Sequence, residues 1–134
     1  MAKTKVFTIT VQNQPGAVAT IAEALGSAKV NILALLGTAQ GATGTVRLVV
    51  DDAKRAKKVL DEAKVVYQET GAEQHELENK PGTLAQHLEK LAARGVNLSS
   101  IYATTVKGKK NAVVVYTVET AAKAGEAQTT APAP

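Results

Sequence analysis

The sequence predicts an α+β chain: two tandem copies of one βαββαβ unit, each with an antiparallel sheet and its helices on one face. Three observations carry this reading. The chain repeats itself at an offset of 66 residues. Each copy switches between strand-like and helix-like hydrophobic periodicity in the same order. Apolar residues make up 45 % of the chain but aromatics only 3 %, so a core can form and must be built from Val, Leu, Ile and Ala.

The offset lays residues 12–35 over 78–101, and eight of the 24 positions are identical. They are Asn13/Asn79, Pro15/Pro81, Gly16/Gly82, Ala19/Ala85, Glu23/Glu89, Leu25/Leu91, Val30/Val96 and Asn31/Asn97. Other positions keep their character, as in Val18/Leu84, Ile32/Leu98 and Leu35/Ile101. Such self-similarity marks a duplicated structural unit.

In the first copy, residues 6–11 alternate, with Phe7, Ile9 and Val11 on one face of a strand. Asn13-Gln14-Pro15-Gly16 is a turn. Val18, Ile21, Ala22, Leu25 and Ala28 then recur at helical spacing, with Pro15 expected near the first turn, where its preset φ suits a helix start. Residues 31–38 and 45–50 read as strands joined by a hairpin loop at 40–44. Asp51 or Asp52 caps a helix carrying Ala53, Ala56, Val59, Leu60 and Ala63, and residues 65–69 form a last short strand.

The second copy opens on a polar strand at 72–77, turns at Asn79-Lys80-Pro81-Gly82, and continues through a helix marked by Leu84, Leu88 and Leu91. A hairpin follows at 97–106 and 111–118. The repeat then fades, so this copy is expected to be truncated at its C-terminal end. Its first strand is expected at a sheet edge, with Glu73, Gln74, His75 and Glu76 discouraging edge-to-edge pairing. The expected organisation is a first module at 1–70, a second at 71–124 and a disordered Ala/Thr/Gln/Pro tail at 125–134. One βαββαβ unit buries little surface for its size, so pairing of modules and a dimer are expected.

Composition excludes several functions. The chain has no Cys, so disulfides, thiolate metal sites and cysteine nucleophiles are out. Residues 1–5 lack an apolar signal core, and no apolar run reaches the roughly 18 residues that span a bilayer, so a cytoplasmic location is expected, with no membrane partner. The net charge of +4 comes largely from Lys54, Arg55, Lys57, Lys58 and Lys64 on one helix and Lys107, Lys109 and Lys110 in one loop. These read as solvated faces rather than a nucleic-acid surface. RNA recognition on such a sheet needs exposed aromatics, and Phe7 and Tyr116 are the sole candidates. His75 and His87 have no evident third ligand or nucleophile nearby in sequence, so no metal or acid–base role is assigned. Gly37, Gly41 and Gly44 lead from strand to strand, whereas a phosphate loop leads into a helix. No catalytic set can be assembled, and the chain is expected not to be an enzyme and to need no cofactor.

What remains is the element that occurs twice: strand, Asn-x-Pro-Gly, helix, Val-Asn, strand. Free amides at a helix start attract a carboxylate, and glycine lets a ligand approach the backbone. An Asn amide can accept from an ammonium and donate to a carboxylate. The bland alternative is that Asn13 and Asn79 are turn or cap residues, and that Asn31 and Asn97 relieve strain in left-handed helix caps.

Asn13-Gln14-Pro15-Gly16-Ala17-Val18 with Val30-Asn31-Ile32, and Asn79-Lys80-Pro81-Gly82-Thr83-Leu84 with Gly95-Val96-Asn97-Leu98, resemble ACT domains. These are ferredoxin-like amino-acid-binding modules that regulate amino-acid metabolism. The resemblance implies a free amino acid held between two modules by Asn13, Pro15, Gly16, Asn31 and Ile32, and by Asn79, Pro81, Gly82, Asn97 and Leu98. It also implies a homo-oligomer, and a metabolic enzyme as a possible protein partner. The alternative function it offers is a regulatory or scaffolding subunit of a separate enzyme, acting through protein contacts. Serine-regulated members carry a His two residues before the first Asn, where this chain has Val11 and Leu77. Phe-sensing members carry Glu-Ser-Arg-Pro in the second strand, where this chain has Ser100-Ile101-Tyr102-Ala103. Neither specificity carries over.

Overall fold

The computed structural model describes residues 2–119. The element order is β1 (Ala2–Gln12), α1 (Ala17–Ser27), β2 (Ile32–Gln40), β3 (Thr43–Val50), α2 (Ala53–Glu62), β4 (Tyr67–Glu78), α3 (Thr83–Ala93), β5 (Asn97–Thr104) and β6 (Asn111–Glu119). The β1–β3, β2–β3, β4–β6 and β5–β6 pairings are antiparallel. The expected second-module end at 124 and the tail 125–134 lie outside the described residues. Two compact units emerge, Lys5–Thr70 and, among the described residues, 2–4 with 71–119.

In the first unit β3 lies between β1 and β2. Phe7 faces Leu48 and Ile9 faces Val46 across the β1–β3 ladder. This is the alternation that the sequence displays, and it puts those four side chains on one sheet face. Ile21 and Leu25 of α1 and Ala56 and Leu60 of α2 close on that same face to make one buried cluster. Leu25 and Leu60 are fully buried, and each contributes about 1.5–3 kcal/mol by leaving water. Tyr67 meets Phe7 edge-on, with ring centroids 5.6 Å apart. The lysines of α2 at 54, 57 and 58 are exposed, as a solvated helix face requires.

Helices α1, α2 and α3 stop in the same way. Val30 N–H donates to Leu25 O, Val65 N–H to Leu60 O and Val96 N–H to Leu91 O, at 2.9–3.0 Å. The preceding residues, Lys29, Lys64 and Gly95, hold positive φ. This is a Schellman motif, whose apolar residue after the left-handed position packs back on the last turn. The left-handed residue is therefore not the Asn at 31 or 97, so that bland explanation of the paired asparagines fails. Helix α2 starts on Asp52, which accepts from the Arg55 N–H at 3.0 Å.

In the second unit β6 lies between β4 and β5. Leu91, Val114 and Tyr116 form its buried centre, with Leu77, Leu88, Val96, Leu98 and Val118 packed around them. Two expectations are corrected. The short strand expected at 65–69 and the polar strand expected at 72–77 are one continuous strand, β4, running through Gly71. The polar strand is not at an edge: β4 has β6 on one side and, on the other, β1, whose residues 2–4 belong to this unit. Its polar side chains serve a different end, described below.

Candidate functional site

Each Asn-x-Pro-Gly corner is a type II turn feeding a helix. Gly16 and Gly82 have φ of 86° and 87° and act as the helix N-caps. Ala17 N–H donates back to Gln14 O at 3.3 Å, and Thr83 N–H to Lys80 O at 3.4 Å. Proline is favoured at the first central position of such a turn, and glycine is required at the second. Pro15 and Pro81 therefore stand one residue before the cap, next to the first helical turn. No side chain caps α1 or α3, and a Cβ built on either glycine would meet nothing within 4 Å. The corners are open at their glycines, and the helix N–H groups immediately after Ala17 and Thr83 have no carbonyl of their own helix to bond.

The two asparagines are latches. Asn13 Nδ2 donates to Gly41 O at 2.8 Å, and the Asn13 backbone N–H donates to Ala42 O at 3.0 Å. Asn79 Nδ2 donates to Lys109 O at 3.0 Å and Val106 O at 3.4 Å, and its backbone N–H to Lys110 O at 2.9 Å. In both units the corner is thus tied to the hairpin beside it. Because carbonyls demand the NH2 end of the amide, each Asn is left presenting its Oδ1, an acceptor, away from the latch.

A cleft of about 190 Å³ opens beside the second corner. Asn79, Lys80 and Leu84 line it from the corner and α3, Leu77 from β4, Ala103 and Thr104 from β5, and Ala112 and Val114 from β6. Of the residues expected to bind ligand, Asn79 lines this cleft. Pro81 and Gly82 shape the turn above it. Asn31 and Asn97 lie at the opposite ends of their helices from Asn13 and Asn79. Helices of 11 residues span about 16 Å, so within one unit the paired asparagines do not meet. Asn31 exchanges hydrogen bonds with Asp51: Asn31 N–H to Asp51 Oδ1 at 2.9 Å and Asp51 N–H to Asn31 O at 3.0 Å. Ile32 and Leu98 are half-buried against their own unit's core.

The histidines have no role legible from their spacing, but the fold brings them together. His75 of β4 stacks on Tyr116 of β6, centroids 5.4 Å apart and rings nearly parallel, and His87 of α3 leans on both. Tyr116 Oη lies 3.0 Å from His75 Nε2 and 3.5 Å from Glu73 Oε1. His87 Nε2 is buried with no hydrogen-bond partner among the described residues. Burial, then His75, Lys90 and Arg94, lowers the His87 pKa, with Glu73 opposing. Burial, then Glu73, raises that of Tyr116. The repeat offset held the signal: Ile9, Ile21 and Val50 of the first unit correspond to His75, His87 and Tyr116. Among the described residues no group of three His, Cys, Asp or Glu could hold a metal ion. Phe7 and Tyr116 are at most 1 % exposed, which removes the stacking platform that RNA recognition would need.

A family model described as an ACT domain pair matches residues 3–130. The chain belongs to that family. Its regulatory α+β fold, as a tandem of ferredoxin-like ACT domains, is therefore established. A crystal structure of a Bacteroides thetaiotaomicron protein is 26 % identical, with a TM-score of 0.79 over 95 % of this ACT pair and 87 % of that chain. The ligand-free regulatory subunit of aspartate kinase from Thermus thermophilus shares the fold, at 17 % identity and a TM-score of 0.65, over 97 % of this chain and 91 % of that one. No curated protein matches the ACT pair. Among the described residues no helix is long and apolar enough to cross a membrane.

Proposed function

We propose that this ACT pair is a non-catalytic regulatory module that binds a free amino acid at its Pro-Gly corners. The observation carrying the reading is the second corner. There an uncapped helix start, an oriented Asn79 Oδ1 and a cleft of amino-acid size lie side by side. The helix amides and their positive dipole end suit the carboxylate, and the Asn79 oxygen suits the ammonium. The first corner repeats the turn and the latch at Gly16 and Asn13. Asn31 and Asn97, at the far helix ends, would reach a ligand only from another module. A ligand shared in this way shifts assembly, because it favours the arrangement that completes its site.

Thermal-shift measurements with each proteinogenic L-amino acid at millimolar concentration test this. At least one should raise the melting temperature, and Asn79→Ala should weaken that response roughly tenfold or more, as losing an acceptor to a charged group does. Silence across the whole panel would overturn the reading. A second reading is favoured by the near-complete overlap with an aspartate kinase regulatory subunit. In it, the module acts as a regulatory subunit docked on a separate amino-acid-metabolism enzyme. Affinity capture from native lysate, with and without the stabilising amino acid, tests that contact.

A further inference from the structure

The walls of the second unit's cleft say which amino acids it can take. We propose that its ligand carries an aliphatic side chain, of the size range from valine to leucine. This rests on the amino-acid reading above and narrows it. Leu77, Leu84, Ala103, Ala112, Val113 and Val114 supply apolar walls from one helix and three strands, and Thr104 and Thr105 at the end of β5 are the neutral polar residues among them. The polar head group is provided for at the corner, by Asn79 and the start of α3. Lys80 and Glu78, the charged residues of the lining, lie 3.3 Å from each other with most of their side chains in solvent, so their opposite charges offset one another beside the cleft. The two ring-bearing histidines point their contacts at Tyr116 and at each other. A volume of about 190 Å³ is below the roughly 300–1,000 Å³ of pockets for drug-sized ligands, and matches a small side chain. Against apolar walls each added methylene strengthens binding about fourfold. A hydroxyl or amide left without a partner weakens it by about tenfold or more.

Titration calorimetry on the full chain with alanine, valine, threonine, leucine, asparagine, serine and lysine decides the matter. Affinity should rise from alanine through valine to leucine. Threonine, the polar counterpart of valine, and asparagine, that of leucine, should each bind at least tenfold more weakly. Threonine matching valine, or serine or lysine binding tightest, would overturn the aliphatic assignment while leaving the amino-acid reading intact. No binding by any amino acid would instead remove the reading beneath it. Ala112→Leu fills the cleft and should lower leucine affinity at least tenfold with an unchanged circular dichroism spectrum. Should that variant not fold, Leu84→Ser, at a position already 38 % exposed, makes the same test by stripping one wall. Unchanged leucine affinity in the folded variant would show that the ligand sits elsewhere.

Discussion

Single residues set the corner and the helix ends, and their backbone angles make their worth measurable. Gly16 and Gly82 hold the left-handed conformation at the helix start with open space around them. An alanine there would clash with nothing, so any loss of stability isolates the backbone cost, about 1–2 kcal/mol for an L-residue. Gly82→Ala should lower the melting temperature by a few degrees, read by circular dichroism. Lys29 and Lys64 occupy the same region of backbone space at the ends of α1 and α2, where α3 has Gly95. Lys29→Gly should release that cost, offset in part by the roughly 0.5–1 kcal/mol of extra chain entropy glycine loses on folding. The net expected gain is up to about 1 kcal/mol by denaturant titration, and a destabilised Lys29→Gly would show that the lysine side chain is holding the helix end. Tyr67, half-buried and donating to Asp61 at 2.8 Å, has its pKa pushed up to about 12 by burial and by that acceptor. Its phenol therefore stays neutral well past the pH at which an unfolded tyrosine ionises.

At the scale of elements, what could be read in the sequence was whatever depended on local chemistry. The alternation of Phe7, Ile9 and Val11, the Pro-Gly corners and the Asp52 cap all follow from neighbours in the chain. What escaped depended on who lies across the sheet. Residues 65–69 and 72–77 look like two strands, yet β4 runs in extended form through Gly71. Glu73 and His75 look like edge guards, yet they face α3 and Tyr116. The cleft likewise needed the ends of β4, β5 and β6 to converge on one corner, which no spacing encodes. His87, whose Nε2 is buried, also makes the second unit acid-sensitive, with a definite sign. The His87 pKa is lower in the folded chain than its ordinary 6.5. As pH falls below 6.5 the unfolded chain binds the proton first, so stability declines on acidification and the decline ends once the folded His87 is also protonated. His75, Lys90 and Arg94 push that titration down and Glu73 opposes them, while the Tyr116 ring packs against His87. His87→Ile, which restores the residue at the matching position of the first unit, should flatten stability between pH 5 and 7. An undiminished pH slope in His87→Ile, measured by urea titration across that range, would place the acid sensitivity elsewhere.

For the molecule as a whole, the proposed regulation needs an assembly for the ligand to act on, and the first unit shows where a second copy could attach. Among the described residues strand β2 ends the sheet of that unit, pairing with β3 on one side. Along it Leu33, Leu35 and Leu36 are 42–46 % exposed. Edge strands usually carry charge or proline to prevent pairing, and residues 32–40 carry neither. An apolar, unguarded edge is costly in a monomer and expected in a chain that buries it against a partner. The proposed homodimer should therefore depend on this strand. Light scattering after size exclusion should give twice the chain mass for the native protein and the chain mass for a Leu35→Lys, Leu36→Lys double variant. If the site is completed between modules, the same double variant should also lose the thermal shift given by the stabilising amino acid, although Asn79 and its cleft are untouched. A variant that is monomeric yet binds as before would separate the two ideas: the edge would make the dimer, and the corner would hold its ligand within one module.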